Sequence, residues 1–120
     1  MATTVVIVDD HSGFRRMARR MLEDAGFDVV GEAGDGETAL SVVALLGPQV
    51  VLLDVQLPGL DGFMVAQRLA DSGSEAAVIL TSSRSAADFS ARLGRAPAIG
   101  FIAKAELSGP AVARMMGAAC

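Results

Sequence analysis

Two adjacent aspartates, Asp9 and Asp10, follow the apolar run at 4–8, and a third, Asp54, follows the run at 50–53. No carboxylate can leave water cheaply without a cation, a proton or several donors to compensate it. The only lysine of the chain, Lys104, follows another apolar run at 99–103, and Thr81-Ser82-Ser83 follow the run at 77–80. Brought together, the three carboxylates would form a hard, oxygen-rich pocket suited to Mg²⁺, which binds through a few carboxylates plus a phosphate and keeps several waters. The ammonium of Lys104 could neutralise a carboxylate or an incoming phosphate, and Thr81 would add a hydroxyl donor.

Taken singly, each of these residues has a plainer reading. An Asp-Asp pair commonly starts a helix, and the LPGLDG that follows Val55-Gln56 is turn punctuation. Thr81 and Ser82 can cap the next helix, and a lysine after a strand is commonly solvated. Independent surface residues have no reason to share one edge, so the joint placement carries the functional reading.

The elements that must position them follow from periodicity. Five apolar runs, at 4–8, 29–33, 50–53, 77–80 and 99–103, alternate with segments of helical spacing. The first helix is clearest: Phe14, Met17, Ala18, Met21, Leu22 and Ala25 form the apolar face, Arg15, Arg16, Arg19, Arg20 and Glu23 the polar one, and Gly26 the stop. Weaker patterns occupy 38–46, 63–71, 86–93 and 110–116, the fourth being short and followed by Arg95-Ala96-Pro97. This alternation predicts an α/β, doubly wound domain with a five-stranded parallel sheet, whose strands are apolar on both faces. Ligands of such sheets bind beyond the carboxyl ends of the strands, where the polar residues above fall.

A chain of 120 residues with 52% hydrophobic and 20% charged residues fits a single domain, 1–120, with a core of its own. A net charge of −4 offers no footprint for a phosphate backbone, so no direct nucleic-acid binding is expected. The single cysteine, Cys120, permits no intrachain disulfide. The stretch MATTVVIVDD lacks the basic and apolar regions of a signal peptide, and no apolar run is long enough for a membrane span. A cytoplasmic location without membrane contact is the expectation.

In order and spacing, VVIVDDH, VVLLDVQLPGLDG, VILTSS and GFIAKAE resemble the receiver domain of two-component response regulators over essentially the whole chain. DDH with FDVVGEAGDGETAL is most similar to receivers that precede helix-turn-helix output domains in the nitrate-regulator and quorum-regulator group. The resemblance implies a flavodoxin-like fold with strand order 2-1-3-4-5. It implies Asp54 as the phosphoacceptor, taking a phosphoryl group from a histidine kinase or phosphotransfer protein. Mg²⁺ would be held by Asp9, Asp10, Asp54 and the backbone carbonyl of Gln56. Lys104 would contact a phosphate oxygen, Thr81 with Ser82 would form the phosphate-binding switch, and Phe101 would be the aromatic that turns inward with the hydroxyl. Gln56 and Ser83 occupy the positions that tune phosphate lifetime. The readout face would be the fourth helix, fifth strand and fifth helix, where receivers dimerise or dock an output.

Two departures from the pattern stand out: Ala105 replaces a common proline after Lys104, and the fourth helix is short. His11 reads as a capping or docking residue of the first helix, because a Mg²⁺ site prefers oxygen. The arginine stripe reads as a solvated face, with contact to a kinase's phosphotransfer helices as the alternative. The methionines read as core filler. A receiver of this kind is no enzyme beyond its own phosphorylation and dephosphorylation. Two rivals remain open: a phosphorylation-independent interaction module, and a phosphohydrolase working through an aspartyl phosphate. The latter class carries a second aspartate two residues after its nucleophile, where this chain has Gln56. The sequence is consistent both with a stand-alone receiver and with one that precedes an output domain.

Overall fold

Valine, isoleucine and leucine crowd the strands because both faces of the sheet are covered. In the computed structural model, which describes residues 2–119, five strands alternate with helices: β1 (Thr4–Val8), α1 (Ser12–Asp24), β2 (Asp28–Ala33), α2 (Gly36–Leu46), β3 (Val50–Asp54), α3 (Gly62–Asp71), β4 (Ala77–Ser82), α4 (Ser90–Leu93), β5 (Gly100–Ala103) and α5 (Gly109–Ala119). Cys120 lies outside the described residues. All strand pairings are parallel and the order is β2-β1-β3-β4-β5, so the doubly wound expectation holds.

Alternation along each strand divides the core in two. Val6, Val8, Val51, Leu53, Val78 and Leu80 pack against Ala39, Val43, Val65 and Leu69 of α2 and α3. Val5, Ile7, Val50, Leu52, Ile79 and Ile102 pack on the opposite face against Ala18 and Leu22 of α1 and Val112 of α5. Each fully buried side chain of this size contributes about 1.5–3 kcal/mol by leaving water, and Ile7, Leu52 and Ile79 are all at most 1% exposed. Asp35 and Asp61 cap α2 and α3 by accepting from Thr38 N and Met64 N.

The fourth helical segment departs most from regularity. Ala86–Phe89 form a 3-10 turn that runs into the single α-helical turn of α4, and neither contains a buried residue. The short run before Arg95-Ala96-Pro97 anticipates this. The polar face expected of α1 is corrected: Arg15 and Arg19 are half-buried against Glu32 of β2 at 3.1 and 2.6 Å, and only Arg16 and Arg20 face water. Met17, placed on the apolar face, is 52% exposed, and Ala25 is exposed too. Nor are all methionines core filler, since Met64 is 43% exposed.

Candidate functional site

A parallel sheet delivers the carboxyl ends of neighbouring strands to one rim. Asp9 follows β1, Asp54 ends β3, Ser82 ends β4 and Lys104 follows β5. Asp9 N donates to Ala33 O of β2 at 3.0 Å, which extends the ladder one residue past β1 and holds the Asp9 side chain completely buried. Asp54 is also buried, whereas Asp10 is exposed.

Lys104 joins the two buried carboxylates. Its Nζ lies 2.6 Å from Asp9 Oδ2 and 3.4 Å from Asp54 Oδ2. It also sits 4.3 Å from the centroid of the Phe14 ring, whose negative face favours a cation. One ammonium thus serves three carboxylates. Burial raises the pKa of Asp54 from 3.8 to about 6; the charge of Asp9 pushes the same way, while the Gln56 N–H, donated to Asp54 Oδ1 at 3.1 Å, and Lys104 oppose it.

The donor set fits a hard dication. Asp9 Oδ2 accepts no hydrogen bond despite its burial, and its compensation is the Lys104 ion pair alone. Asp9, Asp10, His11 and Asp54 each present a ligand atom within 4.8 Å of the others. Carboxylates still in excess of the nearby cation suit Mg²⁺. His11 stands at the N-cap of α1, but its side chain makes no capping bond. Its Nδ1 lies 3.2 Å from Asp9 Oδ1 and 3.1 Å from Asp10 Oδ1 instead.

The switch residues separate by strand parity. Thr81 shares the face of Ile79 and donates its hydroxyl to Ile102 O at 2.6 Å, so that group is committed to β5 and the Thr81 expectation needs revision. Ser82 shares the face of Leu80, the side on which Phe101 packs. Its hydroxyl donates to Gln56 Oε1 at 3.4 Å and accepts from Arg84 N at 3.1 Å. Phe101 is half-buried, with its ring 6.3 Å from that of Phe89, which is 5.9 Å from that of Phe63. Ser83 is exposed on the turn beyond β4. No cis peptide bond occurs among the described residues, in keeping with Ala105 after Lys104.

Three supporting residues escaped the sequence reading. Phe14, read only as core, lies beneath Lys104. Arg15, read as solvated, donates to Asp9 O at 2.6 Å while Glu32 holds its Nε. Gly62, read as punctuation, lets the first turn of α3 lie against the end of β3: its N–H donates to Val55 O at 2.8 Å, and a Cβ there would run into the carbonyl oxygen of Asp54. A glycine directly after a capping aspartate was the available signal.

Residues 5–111 match the model of the response regulator receiver domain. The chain belongs to the response regulator receiver family. The receiver is 38% identical over 101 residues to the response regulator GacA of Pseudomonas aeruginosa, covering 83% of this chain and 47% of that protein. It is 34% identical over 106 residues to BvgA of Bordetella pertussis, covering 88% and 51%. It therefore spans about half the length of these curated relatives. The signal receiver domain of NarL from Mycobacterium tuberculosis superposes with a TM-score of 0.85 at 31% identity, over 97% of this chain and 98% of that one. A LuxR-family response regulator from Aurantimonas gives the same score at 26% identity, over 98% and 87%. These similarities are consistent with the NarL/LuxR-like group of receivers. Among the described residues, no helix is long and apolar enough to cross a membrane.

Proposed function

We propose that this receiver is a phosphorylation-operated switch whose phosphoacceptor is Asp54. The observation that carries the reading is the bridge of Lys104 between Asp9 and Asp54 at 2.6 and 3.4 Å, on the rim where Asp10 also lies. A carboxylate oxygen of Asp54 attacks the phosphorus of a phosphohistidine on a histidine kinase or phosphotransfer protein. The P–N bond breaks, its electron pair leaves with the imidazole, and an acyl phosphate forms on Asp54. Asp9, Asp10, Asp54 and the Gln56 carbonyl would hold Mg²⁺, which supplies charge stabilisation to the transferring group when bound. Lys104, already within reach of Asp54 Oδ2, transfers its contact to a phosphate oxygen.

Ser82, rather than Thr81, carries the switch hydroxyl in this reading. It lies on the Phe101 side of the sheet, and its bond to Gln56 at 3.4 Å is long enough to exchange for a phosphate oxygen. Phosphate contacts to Ser82 and Lys104 exist in one arrangement only, so phosphorylation shifts the population toward it. The readout is the face of α4, β5 and α5, where a groove of about 880 Å³ is lined by Ile99, Phe101, Arg114 and Met115. A second copy or an output element would dock there. The chain works in the cytoplasm, catalyses only its own phosphorylation and dephosphorylation, and serves transcription control through a partner or output.

The test is intact mass after incubation with acetyl phosphate and Mg²⁺. One phosphoryl adduct, lost in Asp54→Ala and on chelation, is expected. Absence of an adduct, together with no response to beryllium fluoride, would leave the phosphorylation-independent module as the reading.

A further inference from the structure

We infer that His11 makes the acidic pocket a site for a first-row transition dication, with Nδ1 as a ligand beside Asp9 and Asp10. The inference rests on the metal-site reading above for its carboxylates and departs from it in the ion and in the fourth ligand. His11 has no structural task that would explain its pose: it stands at the N-cap of α1 without a capping bond, and its ring is 72% exposed. Its Nδ1 nevertheless faces the carboxylates, 3.2 Å from Asp9 Oδ1 and 3.1 Å from Asp10 Oδ1.

Those separations are the edges of a coordination polyhedron. Ligands about 2.1 Å from one ion stand about 3.0 Å apart at adjacent octahedral positions and about 3.4 Å apart at tetrahedral ones. The measured pair falls between the two. A second observation points to a cation at the same place: the Asp9 side chain is wholly buried, yet its Oδ2 accepts no hydrogen bond and has only the Lys104 ammonium at 2.6 Å.

Chemistry then selects the class of ion. Mg²⁺ gains little from an imidazole, whereas Co²⁺, Ni²⁺ and Zn²⁺ take imidazole nitrogen readily and bind more tightly along the Irving–Williams series. His11 binds as the neutral ring, with its remaining proton on Nε2. Ions of this class therefore compete with Mg²⁺ for the same two aspartates, and His11 sets the preference.

The test uses the tag-free chain without any phosphodonor, titrated calorimetrically with CoCl₂ and, separately, with MgCl₂, the Co²⁺ titration being followed also by visible absorption. Both His11→Ala and His11→Gln are expected to weaken Co²⁺ at least about tenfold and to leave Mg²⁺ within about twofold. Unchanged Co²⁺ affinity in the variants, an equal loss for both ions, or no Co²⁺ binding to the unaltered chain would overturn the inference. If the unaltered chain binds Co²⁺ through His11 but binds no Mg²⁺, the Mg²⁺ reading fails and this one stands.

Discussion

The β1–β3 side of the sheet and the α4–β5 edge are built to different standards. β3 is buried along its whole length, and its end carries two buried carboxylates held by strand ladders, a glycine contact and an arginine clamp. At the other edge β5 has one buried residue in four, and the 3-10 turn and α4 before it have none. Chemistry on charged groups needs atoms that stay where they are put, because a shift of a fraction of an ångström changes the charge balance. Transmission needs a segment that two arrangements can share at small cost. In this molecule the rigid and the adaptable parts meet at Ser82, on the last residue of β4.

A core truncation on each side tests the contrast most severely. Leu52→Ala, in β3, should cost about 2–5 kcal/mol in urea unfolding, whereas Leu93→Ala, on half-buried α4, should cost about 1 kcal/mol or less. Equal losses would erase the distinction.

The second effect is electrostatic. Because the pKa of Asp54 rises from 3.8 to about 6 on folding, the native chain holds between those pH values a proton that the unfolded chain has released. Stability must therefore fall as pH rises through that window. In the presence of a chelator, Asp54→Asn should be more stable than the unaltered chain by about 3 kcal/mol at pH 7, with the gain gone near pH 4. A pH-independent gain would place its origin outside the Asp54 charge. Added Mg²⁺ should narrow the gap by stabilising only the chain with the intact carboxylate, a shift that thermal melts will read.

Two smaller changes probe the joints between the regions. Gly62→Ala forces α3 away from the Asp54 carbonyl and should cost about 1–3 kcal/mol while slowing adduct formation from acetyl phosphate. Unaltered phosphorylation kinetics would show that this close approach does not position Asp54. Asp61→Ala removes the cap on Met64 N and the 3.0 Å pair with Arg92 of α4, for a loss of about 1 kcal/mol. Amide exchange should quicken in α4 and leave β3 unchanged.

What sequence alone revealed tracks the same division. Asp9, Asp54 and Lys104 were legible because a parallel sheet maps the ends of apolar runs onto one rim without further information. The weakness of α4 was legible too, since a short pattern before Pro97 cannot build a long helix. Arg15 and Arg19 were not, because helical spacing identifies a polar face but not Glu32 waiting on β2. The choice between Thr81 and Ser82 turned on which face of β4 each presents, and a run of adjacent hydroxyls conceals that parity. Gly62 and Phe14 act through backbone proximity and ring placement, which only tertiary packing creates.

Lys104 is the single lysine of the chain, so the molecule carries one ε-amine, and that amine sits in the functional pocket at 17% exposure. Reductive methylation with isotope-labelled formaldehyde would install one side-chain reporter, distinguishable from the α-amine by its pKa. Its resonance would register the Phe14 ring current, ion loading and the arrival of phosphate from a single position.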